Sequence, residues 1–397
     1  MSRASILFFF LILLNIQISI GQIVSIPDPN FKTALLNHNP VIDSNSDGEI
    51  QVSEALTTTA ISAFNQNISS IVGIEAFINL ERLVCFNNPI ASVDLSSNTQ
   101  LEQINLQFTD LSEIDISANL ELSFISLGYT SISDIDVTQH SNLEFLDISG
   151  TNINTIDVTN NLNLLALSII NLTSINNNLD LSNNILLESI EMRNIGIDNF
   201  DFSLFLNLKI VDIGFNNFSD VDFSNNNQLC SLKSRNCPVL NTINIQNGNN
   251  QALAPNQNCS VDFTIGGLSS VSGIDAFFGS LNLDLICVDD IEFANDNFTL
   301  IPAQTQFVED CSVLSIDSFL IENIVLKFNP VKENLILESK HNIKNIDVFA
   351  VTGEKVIQKE INNREVNVNV ENLTPGVYFI SLTTVDSRTK TLKFLKL

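Results

Sequence analysis

The sequence predicts a mainly β chain, wound as a solenoid of about eight 21-residue coils with short strands on both sides, between an N-terminal cap and a C-terminal β-sandwich. Two in-phase columns of residues predict the coils, and a change of charge near residue 320 predicts the separate C-terminal module. Asp94, Asp115, Asp136 and Asp157 stand 21 apart, each between apolar residues and before Ser or Thr, and Asp180, Asp201 and Asp222 follow at 23, 21 and 21. Cys85, Leu106, Leu127, Ile148 and Ile169 also step by 21, and Met192, Ile213 and Ser234 continue at 23, 21 and 21. Both columns gain two residues at one place, so Asn176 to Asn178 marks a loop insertion that leaves the register intact.

The 397 residues include 45 acidic and 18 basic ones, a formal charge of -27, yet 44% are hydrophobic. A disordered acidic tail would lack that apolar content. A nucleic-acid partner is excluded as well, because it requires clustered Lys and Arg. Residues 319–397 hold 11 basic and 9 acidic residues, which leaves 7 and 36 for residues 1–318 and predicts a boundary between 312 and 322. At the N-terminus Arg3 precedes the apolar run Ile6 to Leu14, and Ser19 and Gly21 are small, the pattern of a signal peptide over residues 1–21 cleaved after Gly21. Asn15 and Gln17 interrupt that run, and no later stretch is long enough for a transmembrane helix.

Within a coil the pattern is Leu80, Leu83, Cys85, Asn88, Ile90, then Leu101, Ile104, Leu106, Thr109, Leu111. Alternation turns two apolar side chains to one face of a short strand. An Asn after the strand can bond the main chain that stacking buries. Ile90, Val93 and Leu95 repeat the motif in the second half, hence strands on both sides. This spacing resembles the leucine-rich repeat, closest to bacterial surface proteins of 21-residue period, especially those of Bacteroidota. The repeats occupy residues 80–248 in this reading, between caps at 22–79 and 249–313. One coil buries too little to order itself, so stacking and caps are obligatory.

Residues 43–54 place Asp43, Asn45, Asp47 and Glu54 at positions 1, 3, 5 and 12 of a loop, with Gly48 at 6 and Ile50 at 8. A hard cation takes six to eight oxygens, and this spacing resembles the EF-hand loop. The resemblance implies a structural Ca²⁺ held by Asp43, Asn45, Asp47 and Glu54, with the Glu49 carbonyl and a water near Gln51. No second loop pairs with it, so a cap fits better than a sensor. Pro29 to Leu36 reads as a helix ahead of it. At the other end Leu268 to Phe277 echoes Ile68 to Phe77, and Cys287 to Cys311 resembles the terminal cap of the same family, which makes a disulfide between those two plausible in an exported protein. Cys85 reads as a buried thiol, and the pairing of Cys230, Cys237 and Cys259 stays open.

From about Ile324 the period stops and short strand-like runs follow. Asn329 and Pro330, then Val351 to Val356, then Leu373, Pro375, Gly376, Val377 and Tyr378, and finally Lys393 to Lys396 resemble the type A sorting domain of the type IX secretion system, over residues 314–397. The resemblance implies recognition of residues 320–397 by the secretion machinery, and a product released or attached at the outer-membrane surface after periplasmic export.

No catalytic constellation accompanies these parts. His38, His140 and His341 lie far apart, and His140 falls at the Asn position of a coil, where it reads as a turn residue. If coils stack about 4.8 Å apart, neighbouring aspartates of the 94–222 column repel by roughly 0.9 kcal/mol in water. Salt, hydrogen bonds or divalent cations must offset this. The expected function is a non-catalytic cell-surface binding or adhesion module with an extracellular protein or glycan ligand. An accessory role in a hydrolytic system and a structural surface-layer role are the alternatives. The ligand is not legible: Asn105, Ser126, Asp147 and Asp212 read as exposed polar strand positions without an aromatic cluster for sugar stacking.

Overall fold

The computed structural model describes residues 21–397 apart from 176–178, 256, 264–265, 272, 276–278, 312–324, 327–330, 351 and 385–388. The apolar leader, the Asn176–Asn178 insertion and the Asn329–Pro330 block lie outside the described residues. The chain divides into two compact units, Met1–Glu309 and Asp310–Leu397.

The first unit opens with helix α1 (Pro29–Leu36). Proline in the first turn loses no hydrogen bond there, Asp28 caps the free N–H groups, and Phe31 and Leu35, four apart, are buried on one face. The buried Asp28 carboxylate accepts from Asn30 N and Phe31 N at 2.8 and 3.0 Å. It also accepts from the Ser69 N–H and hydroxyl and from Ser70 N at 2.8, 2.7 and 3.1 Å. This one side chain ties the cap to the turn before the second coil. Burial pushes its pKa up, but the hydrogen bonds outweigh burial and hold the carboxyl below its ordinary value. Helix α2 (Val52–Ala55) closes the acidic loop.

Eight three-residue strands follow: β1 (Ala60–Ser62), β2 (Arg82–Val84), β3 (Gln103–Asn105), β4 (Phe124–Ser126), β5 (Phe145–Asp147), β6 (Ala166–Ser168), β7 (Ser189–Glu191) and β8 (Ile210–Asp212). Then come β9 (Asp220–Asp222), β10 (Ser231–Lys233), β11 (Thr242–Asn244), the hairpin β12 (Asn258–Phe263) and β13 (Gly266–Val271), β14 (Gly273–Asp275), β15 (Leu285–Cys287), helix α3 (Ile291–Asn297) and β16 (Gln306–Val308). β1 to β8, β10 and β14 form one ten-stranded parallel sheet. Its register runs Leu83, Ile104, Ile125, Leu146, Leu167, Ile190, Val211, Leu232, all buried.

Ten rungs exceed the eight coils expected, one at each end. β1 lies ahead of the L-x-x-L pattern, with Ile61 and, just past the strand, the small Ala63 as its buried inward residues. β14 pairs with β10 although Ser231 and Gly273 are 42 residues apart, twice the period, because the hairpin is inserted in that coil. The echoed segments also differ: Ile74–Ala76 is a 3₁₀ turn, whereas Gly273–Asp275 is a strand.

On the second side of the coil the strands expected throughout are hydrogen-bonded only at the C-terminal end among the described residues, in the sheet β9, β11, β15, β16. Earlier coils are joined there by side chains. Asn98, Asn119, Asn161, Asn184 and Asn226 are fully buried, and each amide donates to two carbonyls of the preceding coil at 2.7 to 3.1 Å. His140 takes the same rung, with Nε2 3.3 Å from the Ile116 carbonyl. A separate position, Asn88 after β2, donates to the Ala63 and Cys85 carbonyls at 2.8 and 2.9 Å, the main-chain role its place in the repeat predicts.

The aspartate column is offset by hydrogen bonds. The N–H two residues on donates to Asp94, Asp115, Asp136, Asp157, Asp180 and Asp201 at 2.9 to 3.0 Å. With the adjoining Ser or Thr hydroxyl, these bonds hold all six carboxyls below the ordinary carboxylate range. Repulsion from neighbouring aspartates at Asp115 and Asp157 is the lesser effect.

The second unit holds β17 (Val325–Leu326), β18 (Asn334–Ala350), β19 (Lys355–Asn369), β20 (Gly376–Thr384) and β21 (Thr389–Lys396), all antiparallel, in the order β17, β18, β20, β21 with β19 also on β18. Both halves of β18 feed one core, Leu335 and Leu337 beside Ile346 and Val348, and the register shifts between Glu338 and Ile343 lie between them. Gly353, at φ 84°, makes the turn before β19 possible. The Tyr378 hydroxyl donates to the Thr374 carbonyl at 2.9 Å and fixes the entry to β20.

Candidate functional site: the sheet face and its charged end

Each strand of the ten-stranded sheet turns its middle residue inward, so its first and third residues stand on the outer face. The first-residue column, Phe124, Phe145, Ala166, Ser189, Ile210 and Ser231, is covered by the β12–β13 hairpin. Phe124 and Phe145 stack at 4.2 Å, and Phe263 meets Phe145 edge-on at 5.3 Å. Ile210, Cys230, Cys259 and Val261 form a small core of their own, and the Cys230–Cys259 disulfide pins the hairpin to the residue before β10. Cys287 and Cys311 are each in a disulfide as well. Cys85 and Cys237 are free and buried, and burial pushes the Cys85 thiol up to about 12, which leaves it unreactive.

This corrects the expectation of an open polar face. Ser126, Asp147 and Asp212 are 1%, 7% and 5% exposed, Asn105 is half-buried, and an aromatic cluster does occupy the face. The Phe residues responsible fall at the variable first position of the strand, and their cover arrives from more than 100 residues away, so the period could not show it.

The third-residue column runs Asp147, Ser168, Glu191, Asp212, Lys233 and Asp275, charged at every place but Ser168. Glu191 and Asp212 are neighbours in register, and like charges there destabilise a sheet. Burial raises the pKa of both, while Lys233 acts against the rise at Glu191, and at Asp212 a bond from Gly214 N at 3.0 Å together with Arg193, Lys233 and Arg235 does the same. Arg235 pairs with Asp275, whose hydrogen bond raises the guanidinium pKa further. Arg193, Lys233, Arg235, Asp212, Asp275 and Phe215 line a cleft of about 720 Å³. Three of the seven basic residues of residues 1–318 thus meet in one place. Sequence reading missed this cluster; its signal was Lys233 and Arg235 two apart in an otherwise acidic body.

In the N-terminal loop the carboxylates fold inward onto N–H groups. Gly48 N donates to Asp43 Oδ2 at 3.0 Å, Ser44 N to Glu54 Oε1 at 2.7 Å and Glu49 N to Asp47 Oδ1 at 2.9 Å. Asp43 and Glu54 are buried. The Asn45 amide donates to Asp47 Oδ2 and Gln51 Oε1, both at 3.0 Å, and Gln51 Nε2 donates to Asp47 Oδ2 at 2.8 Å. Glu49's own carboxylate pairs outward with Lys32 at 2.6 Å. Oxygen-only donors on one short loop suit a hard cation. As arranged, their oxygens are satisfied by N–H donors, and no group of three His, Cys, Asp or Glu side chains poised to hold a metal occurs among the described residues.

Residues 329–396 match the family model of the secretion system C-terminal sorting domain. The C-terminal unit is a sorting domain of this type. It marks the chain for export by the type IX secretion system, to the cell surface or the medium, and the repeats ahead of it have the leucine-rich repeat pattern. Among the described residues no helix is long and apolar enough to cross a membrane. No curated protein matches the chain. Among solved structures it is similar to the functional domain of InlJ from Listeria monocytogenes, at 16% identity over 95% of this chain and 98% of that one, with a TM-score of 0.36. It is also similar to internalin C2 of the same organism, at 25% identity over 52% of this chain and 92% of that one, with a TM-score of 0.43. The repeat fold itself is read from the strand register above.

Proposed function

We propose that the exported protein is a non-catalytic binding or adhesion module of the cell surface, which holds an extracellular protein or glycan at the charged end of its sheet. The supporting observation is the cleft in which Arg193, Lys233 and Arg235 face Asp212 and Asp275. Charges of both signs, held on rigid strands in an acidic body, suit a partner that carries paired charges. Binding of the full chain to arrays of extracellular proteins and glycans tests this. A saturable ligand whose affinity falls at least about tenfold in the Lys233→Glu, Arg235→Glu variant supports it. Turnover of any arrayed substrate, lost in Glu191→Gln or Asp212→Asn, would instead favour the hydrolytic alternative, because those two carboxylates are the pair that such chemistry would use. A chain that binds nothing on the arrays would point to the structural surface-layer role.

We further propose that Asp43, Asn45, Asp47 and Glu54, with the Glu49 carbonyl and a water near Gln51, hold a structural Ca²⁺ in the cap. A cation there would replace N–H donors as the partner of buried carboxylates and stiffen the end of the stack. Calcium at about 100 times its Kd is expected to stabilise the cap by about 2.7 kcal/mol. Calorimetric titration should show one site that Asp43→Ala abolishes; equal melting temperatures in Ca²⁺ and in chelator would refute it.

A further inference from the structure

One residue in each coil lies in the left-handed backbone region just after the strand. The column runs Asn65, Asn87, Phe108, Tyr129, Gly150, Asn171, Asn194, Phe215 and Asn236, with φ between 52° and 64°. Asn and Gly tolerate that conformation; a bulky aromatic residue there is strained. Phe108 and Tyr129 nevertheless occupy it, and they are 52% and 41% exposed. Neither backbone preference nor burial accounts for them.

Their arrangement is specific. Phe108 and Tyr129 stack at 4.7 Å, and one position earlier in the coil Phe64 and Phe86 stack at 4.8 Å. Tyr129 also lies against Gly150, where a Cβ would come within 2.6 Å of the ring. The second face of Phe108 therefore turns toward Asn87. Two adjoining open cavities, of about 350 and 490 Å³, share Asn87 and Phe108 as lining residues. Their other polar lining includes Asn65, Asn67, Asn105 and Gln107, with Asp110 and no basic side chain. Asn87 Nδ2 donates to Asn65 Oδ1 at an exposed position, so the Asn65 amide nitrogen and the Asn87 amide oxygen are not used in that bond.

We propose that this aromatic shelf, Phe108 with Tyr129 and the Asn65–Asn87 amide pair, is a binding subsite for a neutral polysaccharide. A pyranose ring offers an apolar face to Phe108, and its vicinal hydroxyls, each both donor and acceptor, match the paired amides. The acidic body and the Asp110 carboxylate repel uronate and sulfated chains, so the glycan is uncharged. The subsite is remote in sequence from the charged cleft and independent of the reading placed on it.

Affinity electrophoresis of the full chain in gels containing laminarin, mannan, a soluble cellulose derivative without charge, or polygalacturonate tests the proposal. At least one neutral polymer should retard the protein and polygalacturonate should not. Phe108→Asn restores the residue that the column favours, so it should melt no lower than the parent chain while weakening retardation at least about tenfold, 1.4 kcal/mol or more. Lys233→Glu with Arg235→Glu should leave retardation unchanged. Absence of retardation by all three neutral polymers, or full retardation of Phe108→Asn, overturns the proposal; loss through the Lys233 and Arg235 changes alone moves glycan binding to the cleft.

Discussion

Replacing Asn161 by alanine is expected to lower the stability of the repeat unit by about 1 to 3 kcal/mol, read as a drop in melting temperature by calorimetry. The Asn161 amide donates to the Val137 and His140 carbonyls at 2.9 and 2.8 Å, and the site is fully buried. Alanine removes two buried hydrogen bonds, at about 0.5 to 1.5 kcal/mol each, while the Val137 and His140 carbonyls keep the bonds they accept from His140 N and Leu143 N. Asn161 Oδ1 has no partner of its own, so its removal refunds a little. The same ladder sets the opposite sign one coil earlier. His140 makes a single contact of 3.3 Å to the Ile116 carbonyl, and its buried Nδ1 has no partner. His140→Asn should restore the second bond and raise stability by about 1 kcal/mol. A neutral Asn161→Ala would mean that the amide ladder does not join the coils.

Cys259→Ser is expected to cost about 3.5 kcal/mol, because Cys230 and Cys259 close a loop over a sequence separation of 29. The greater consequence is on the sheet face. Without the bond, the contacts among the described residues that hold the hairpin over Phe124, Phe145 and Ile210 are those of Phe263, Val261 and their small cluster. Exposed, those side chains form an apolar strip on a parallel sheet, which promotes association. The variant should bind a hydrophobic dye and elute as larger species, and Phe145→Ser in the same chain should suppress both. A monomeric, dye-negative Cys259→Ser would show that packing alone holds the hairpin.

The repeat could be read without coordinates because stacking imposes a period on inward residues: Leu83, Ile104 and Ile125 must recur where each coil meets the next. The same logic made Asp94 to Asp222 a column, though the sign of its energetics came from hydrogen bonds that repetition alone does not reveal. The sorting domain was legible through short blocks whose turns have strict backbone needs, such as Gly353. Outward residues are free of the period, so the charged cleft, the covered Phe pair and the aromatic shelf left no regular trace.

Local spacing thus specified the coil and the C-terminal strands, because each depends on residues close together in the chain. The assembled chain decided which outer faces stay open. Hairpin β12–β13, inserted after β11, reaches back over strands β4 and β5, and the residues Arg193, Lys233, Arg235 and Asp275 meet across three rungs. Contacts at such separations follow from how many coils lie between them and from where an insertion folds back, quantities that no single coil encodes.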